Sequence, residues 1–319
     1  MVMNFEEKFT DCINNFKNQS FPSYTRNELY LFADFIELIT LFSIDKSVSI
    51  GSILDRFFGT KDYKDSSERD EDESFILSIF LIIQERVLLF KDAYPFQYDF
   101  KDDILSLKVE ISNENKLYLN LLISSKLNIF KEFKSELTDE FEFLCKDALE
   151  KFLPNHAIVK NFGRRTAYHG NAINKIRQLA FDLNLDIDEY EISGVSERNN
   201  QERGLDIVGW IPFDDRSKNI LVFLAQCACG KKYESKQHDT RRFTNYLKFY
   251  KSNPIHILFI PYSLINTSEG KFYHSDLIEK DYLIFERKRL IELFNTANYN
   301  TFNSYYIVDC CIGYSEGIV

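Results

Sequence analysis

The chain has no long hydrophobic run. Its longest, Phe75 to Ile83, is interrupted by Ser78 and falls far short of the ~20 residues a membrane-spanning helix needs. The opening stretch, MVMNFEEKFTD, has neither a basic leader nor an apolar segment, so no secretion signal is expected. Cysteine is sparse: six in 319 residues do not make a disulfide scaffold, and reduced thiols in a cytoplasm are expected. Cys227 and Cys229 are one residue apart and Cys310 and Cys311 are adjacent. Neither pair has the C-x₂₋₄-C spacing of a zinc site, so core packing is the expected role. Histidines 156, 169, 238, 256 and 274 form no H-x-x-x-H pattern. The absence of G-x-x-x-x-G-K-[ST] and G-x-S-x-G removes the P-loop and serine-hydrolase readings. No internal repeat occurs.

What is present is a globular composition, 45% hydrophobic and 28% charged, with 30 Phe and 18 Tyr to build a bulky core. The length suits one large or two ordinary domains. The net charge of −10 is unevenly spread. Residues 155 to 319 hold 21 Lys+Arg against 20 Asp+Glu. The acidity therefore belongs to the N-terminal half, and the C-terminal half is free to present a basic face.

Residues 1–134 read as a mainly helical domain with one β-hairpin, suited to regulation or partner binding. NELYLFADFIELITLFS, residues 27–43, places Leu29, Phe32, Phe35, Ile36 and Ile39 at helical spacing. ESFILSIFLIIQERVLLF is a second, more deeply buried helix. Between them KDYKDSSERDEDES, with ten of fourteen residues charged, reads as a solvated loop. The runs ILSLKVEIS and LYLNLLIS, separated by NENK, read as the hairpin.

Residues 135–319 alternate helices and strands. LTDEFEFLCKDALEKFL reads as a helix capped by Thr138 and ended by Pro154, and HAIVKNFGRR as a strand and turn. GNAINKIRQLAFDLN is a helix; DIDEYEIS, GLDIVGWIPF and NILVFLAQCAC are strands. The turn DDRSK makes the last two antiparallel. TRRFTNYLKFYKS reads as a basic amphipathic helix, and IHILFIPYSL as a strand covered on both faces. The fold class is α+β/α/β, a mixed sheet flanked by helices.

Side chains alternate along a strand, so Asp206, Val208 and Trp210 are expected on one face, and Ile220, Val222, Leu224 and Gln226 on one face of the partner. The start of one hairpin strand lies beside the end of the next, which brings Asp206 and Gln226 together. A carboxylate and an amide oxygen are hard ligands suited to Mg²⁺, with the Cys227 carbonyl as a third. The order αβββαβ, an acid on the second strand and Gln226 late in the third resembles the PD-(D/E)XK, or restriction-endonuclease-like, nucleases over residues 136 to 264. The glutamine and Gly204 before Asp206 look like the branch related to type IV (Mrr-like) restriction enzymes. That resemblance implies a lysine two residues after Gln226, where Ala228 stands. Lys231, Lys232 and Lys236 are near enough in sequence to substitute, Lys231 and Lys236 being favoured.

Glu142 matches the acid many such nucleases carry on their first core helix, and is equally a favourable charge near a helix N-terminus. Glu189 and Glu191 are weaker candidates for the same role. Arg164, Arg165, Arg241, Arg242 and Lys248 are expected to contact phosphates. The expected activity is hydrolysis of DNA phosphodiesters with Mg²⁺, or Mn²⁺ in its place, in bacterial restriction or antiphage defence. The other reading keeps the fold without catalysis, as a module binding nucleic acid or a partner protein. Expected partners are DNA, a partner defence protein and a second copy of the chain, with no membrane.

Overall fold

The computed structural model describes residues 4–19, 24–26, 28–163, 166–195, 204–215, 217–294 and 302–314. The chain divides into two compact units. One comprises residues 1–137, 262–273 and 296–319, the other residues 138–261 and 274–295. The expected boundary after residue 134 is close to the first division, but two later segments also belong to the first unit. Among the described residues no helix is long and apolar enough to cross a membrane.

The first unit starts with α1 (Phe5–Lys17), where Asn4 and Glu7 cap each other's backbone N–H groups. In α2 (Leu29–Phe42) every residue from Tyr30 on is buried. β1 (Ser47–Ser49) leads into α3 (Ile50–Phe58), and α4 runs from Ser66 to Phe90. α4 overturns the expected loop: most of the charge run is its first turns, opened by Asp65, whose side chain accepts the Glu68 N–H. Asp72, inside that run, is fully buried and bonded to Arg26 and Lys61 at 2.7 and 2.5 Å. Acids cluster there because a helix N-terminus favours them.

The hairpin of this unit is β2 (Phe96–Asp99) with β3 (Ile104–Leu107), and β1 pairs on the other side of β3. NENKLYLNLLIS is instead one helix, α5 (Asn113–Ser124), with Ser112 and Asn115 in a reciprocal cap. Residues 117–124 of α5 are all buried, so the run has no polar face to betray its period.

The second unit is built on a five-stranded sheet. α6 (Lys134–Phe152) precedes β4 (Ile158–Asn161), α7 (Ala172–Asp182), β5 (Asp186–Ile187), α8 (Glu189–Ser193), β6 (Ile207–Ile211) and β7 (Leu221–Cys227). α9 (Gln237–Arg241), α10 (Phe243–Tyr246), β8 (Leu247–Lys248) and β9 (Ile255–Phe259) follow. After the short pair β10 (Ile265–Asn266) and β11 (Lys271–Phe272) of the first unit come β12 (Tyr282–Phe285) and α11 (Arg287–Leu293). α12 (Ser304–Gly313) belongs again to the first unit. The sheet order is β12-β9-β7-β6-β4. β4, β6 and β7 run antiparallel in turn, and β7, β9 and β12 are parallel. A mixed sheet flanked by helices, as expected, is therefore the core.

Three local expectations change. α6 starts before Thr138, which lies within it. DIDEYEIS is a two-residue strand followed by α8, because the Asp188 carboxylate accepts the N–H groups of Tyr190 and Glu191 and starts a helical turn. The basic helix starts at Gln237 and ends at Tyr246; Leu247 and Lys248 pair with Ile187 and Asp186.

One sheet face buries Val208, Trp210, Val222 and Leu224 against Ile176 and Leu179 of α7 and Phe243 of α10. On the other lies α6: a Cβ on Gly209 would stand 3.2 and 3.5 Å from Leu153 and Leu149. Gly209 thus gives α6 room to pack closely.

Candidate functional site

The β6–β7 ladder begins at the pair Ile207 and Ala225, and Asp206 is the residue before it. The Asp206 N–H donates to the Ala225 carbonyl at 3.0 Å, so Asp206 and Ile207 both face one residue, as in a β-bulge. The Asp206 carbonyl accepts from Phe162 and Gly163 at 2.7 and 3.1 Å, which ties the bulge to the end of β4.

A bulge interrupts the alternation of faces, and the carboxylate goes where the sequence did not send it. Asp206 Oδ2 accepts the Cys227 N–H at 2.7 Å. A Cβ on Gly163 would lie 3.3 Å from Asp206 Oδ1 and 3.5 Å from Glu142 Oε2. Asp206 therefore meets Glu142 of α6, rather than sharing the buried face of Val208 and Trp210. The space beside Gly163 is bounded by two carboxylates.

Gln226 shares its strand face with Val222 and Leu224 and is only 4% exposed. Its Nε2 donates to Asp239 Oδ2 of α9 at 3.2 Å, while Oε1 is buried with no partner. Asp239 also faces Arg242 at 3.2 Å and Lys236 at 3.8 Å. Gly204 makes this approach feasible. Its φ is +84°, and a Cβ there would lie 2.3 Å from the Asp239 Cβ, so a larger residue is excluded twice over.

The thiols form a neutral floor. Cys145 hydrogen-bonds Cys227, and burial raises the Cys145 pKa, with Glu142 and Asp206 adding to the rise. Burial likewise pushes Cys229 well up. Protonated thiols are poor nucleophiles and poor ligands, consistent with a packing role.

The other expected residues are dispersed. Ala228 is buried and donates its N–H to the Phe259 carbonyl. Lys231 and Lys232 are exposed on the turn after β7, and the ion pair of Lys236 is with Asp239. Arg241 lies over the Tyr282 ring at 5.4 Å, beside Glu279 at 3.4 Å. Lys248 is 3.4 Å from Asp188. Arg164 and Arg165 lie outside the described residues. Glu189 is held bidentately by Arg177 and Glu191 is exposed, both on α8 rather than a strand.

Among the described residues no group of three or more His, Cys, Asp or Glu is arranged to hold a metal ion. Mg²⁺ does not demand such a cage, since it is commonly held by one or two carboxylates plus waters and substrate phosphates. Asp206 Oδ1 and Glu142 Oε2 are hard oxygen donors of that kind. Gln226 is not brought to them as expected: the bulge turns Asp206 toward α6, while Gln226 stays on the opposite sheet face with Val222 and Leu224. Asp239 and Gly163 gave no sign in the sequence. Asp239 is thirteen positions from Gln226 on another element, and only the packing of α9 brings them together. Comparison with protein-family models, with curated proteins and with solved structures finds no match.

Proposed function

We propose that the second unit is a metal-dependent nuclease of the restriction-endonuclease-like kind, hydrolysing DNA phosphodiester bonds. The observation that carries this reading is the meeting of the Asp206 and Glu142 carboxylates beside Gly163, at the end of the β6–β7 hairpin. Two carboxylates flanking one small, half-buried space are an oxygen pair of the kind that Mg²⁺ accepts. The sheet supports it: β4, β6 and β7 lie antiparallel in turn, with α7, β5 and α8 inserted between β4 and β6, and β9, which follows α9, α10 and β8, is parallel to β7.

Mg²⁺, or Mn²⁺ in its place, supplies a water of lowered pKa and a positive charge for the phosphate. The residues prepare the rest. The Cys227 N–H fixes Asp206 Oδ2, which leaves Oδ1 beside Glu142. Cys227 contributes its carbonyl, and Gln226, on the other sheet face, stays outside this set. Lys231, on the turn after β7, takes the part of the lysine absent at Ala228. Arg241, Arg242 and Lys248, each about half exposed, meet the phosphate backbone, and Arg164 and Arg165 are assigned the same part. The resemblance places such an enzyme in the cytoplasm, in bacterial restriction or antiphage defence, working as a homo-oligomer or with a partner defence protein that the first unit engages.

The test is cleavage of supercoiled plasmid with Mg²⁺ or Mn²⁺, comparing the unaltered protein with Asp206→Ala. Nicking lost in the variant is expected; equal nicking by both removes the site. A second reading rests on Ala228, whose buried methyl replaces the expected ammonium: the unit then binds nucleic acid or a partner protein without cutting. Salt-sensitive DNA binding with no cleavage under either metal selects it.

A further inference from the structure

We propose that the strand this site takes is unpaired, and that its bases stack on the rings of Phe181 and Tyr190. The proposal rests on the nuclease reading of the Asp206 site. Phe181, on α7, is 86% exposed and Tyr190, on α8, is 85% exposed, the highest values among the described aromatic residues. Neither ring meets another ring or a cation among the described residues. The two are also neighbours. Arg177, one turn before Phe181 on α7, holds Glu189, the residue before Tyr190, at 2.8 and 2.7 Å. Single apolar side chains on a surface are ordinary, whereas rings gathered in one place mark a contact surface.

Cations alternate with these rings. Lys160 of β4 bonds Asp182, the residue after Phe181, at 2.6 Å. Lys248 of β8 lies 3.4 Å from Asp188, just ahead of Glu189 and Tyr190. The strip therefore runs Lys160, Phe181, Arg177, Tyr190, Lys248. An unpaired strand asks for this alternation, because every base offers an aromatic face and every linkage a negative charge. A duplex keeps its bases stacked inside and has no use for the rings. Each cation is held by an acid, but exposed ion pairs are worth only ~0–1 kcal/mol, so phosphates can displace the carboxylates. Beside Phe181 is a cavity of about 340 Å³, lined also by Lys160, Ala167, Tyr168 and Arg177, with room for one base. Ala167 follows Gly163 closely enough in the chain to keep that wall within ~14 Å of Gly163. A strand stacked on the strip thus passes near the two carboxylates.

The experiment measures, by fluorescence anisotropy with metal chelated, how the full chain binds a labelled oligothymidylate and a duplex of equal length. The single strand is expected to bind more tightly. Phe181→Ala and Tyr190→Ala should each weaken that binding by about tenfold, the scale of one base–aromatic stack, and leave duplex binding unchanged. Both residues are exposed, so the variants should melt with the unaltered protein. Phe181→Trp and Tyr190→Phe keep a ring and should retain binding, whereas Phe181→Leu should lose it as alanine does, which separates stacking from mere apolar contact. No binding of the single strand, a preference for the duplex, or full binding by Phe181→Leu overturns the inference, while plasmid nicking that depends on Asp206 leaves the nuclease reading standing. Nicking that is equal in the unaltered protein and Asp206→Ala overturns the nuclease reading and, with it, the assignment of its substrate.

Discussion

Each unit brings a pair of acids together, fully buried in one and half-buried in the other. In the first unit Asp34 and Glu37 are fully buried on α2. Arg86 lies 2.8 and 2.7 Å from them. Glu37 also accepts from Tyr94 and Tyr118, and Asp34 from Ser125. Burial, and then the charge of Glu37, drive the Tyr94 pKa well up, so its hydroxyl stays a donor. Cations and hydroxyls meet both carboxylates, although the Arg86 Nε itself has no partner. In the second unit Asp206 and Glu142 flank the space beside Gly163 and are only half-buried. Buried acids are tolerated only when paired or ligated. The first pair is enclosed by its unit; the second keeps part of its surface toward solvent.

The largest effect should come from breaking this network. Arg86→Met removes the cation in contact with both buried carboxylates, leaving only Lys126 at 4.0 Å from Asp34, and should cost ~3–5 kcal/mol of stability in denaturant unfolding. A loss under ~1 kcal/mol would mean that the acids are protonated or hydrated, and the contrast between the units would fail. At the open site the opposite pattern is expected. Asp206→Asn or Glu142→Gln should lower plasmid nicking by at least ~10²-fold, the scale of losing a preorganised charge at a reacting centre. The same variants should leave melting unchanged or higher, because like charges are separated. A large drop in melting temperature would show that the pair is structural after all.

Gly204→Ala should destabilise the second unit by ~1–3 kcal/mol, since it forces a positive φ on a side chain and drives a methyl into Asp239. A fully stable Gly204→Ala protein would deny the close approach of α9. The smallest effect concerns pH. His256 is pushed from its ordinary 6.5 down to about 4, first by burial and then by the positive Arg241. The folded protein keeps it neutral while the unfolded chain protonates it, so its contribution is full above pH 6.5 and fades as pH falls toward about 4. His256→Gln should flatten that part of the stability–pH profile. An identical slope in the variant would assign the acid sensitivity to other groups.

Much of this was legible in the sequence because the physics was local. β6, β7 and their turn followed from two apolar runs joined by polar residues, and the stripe of α7 from its period. Asp206 and Gln226 stood out as polar groups at the ends of apolar runs, and Glu142 through the resemblance. Where a run was apolar throughout, as in LYLNLLIS, period carried no information, and a helix was read as a strand. Where charges crowded, as before Phe75, solvent seemed the only destination, yet Asp72 is at 0% exposure between two cations. A capping pair or one buried ion pair decided each case.

Order along the chain thus determined which residues can form strands, which can form helices, and which acids are out of place in apolar sequence. It did not determine the companions of those acids. The bulge at Asp206, the absent side chain of Gly163 and the arrival of α9 beside Gly204 are long-range packing events, and a displacement of one residue in any of them redirects a carboxylate. Partnership between distant polar groups depends on ångström-scale approach, and only the folded sheet with its helices sets that.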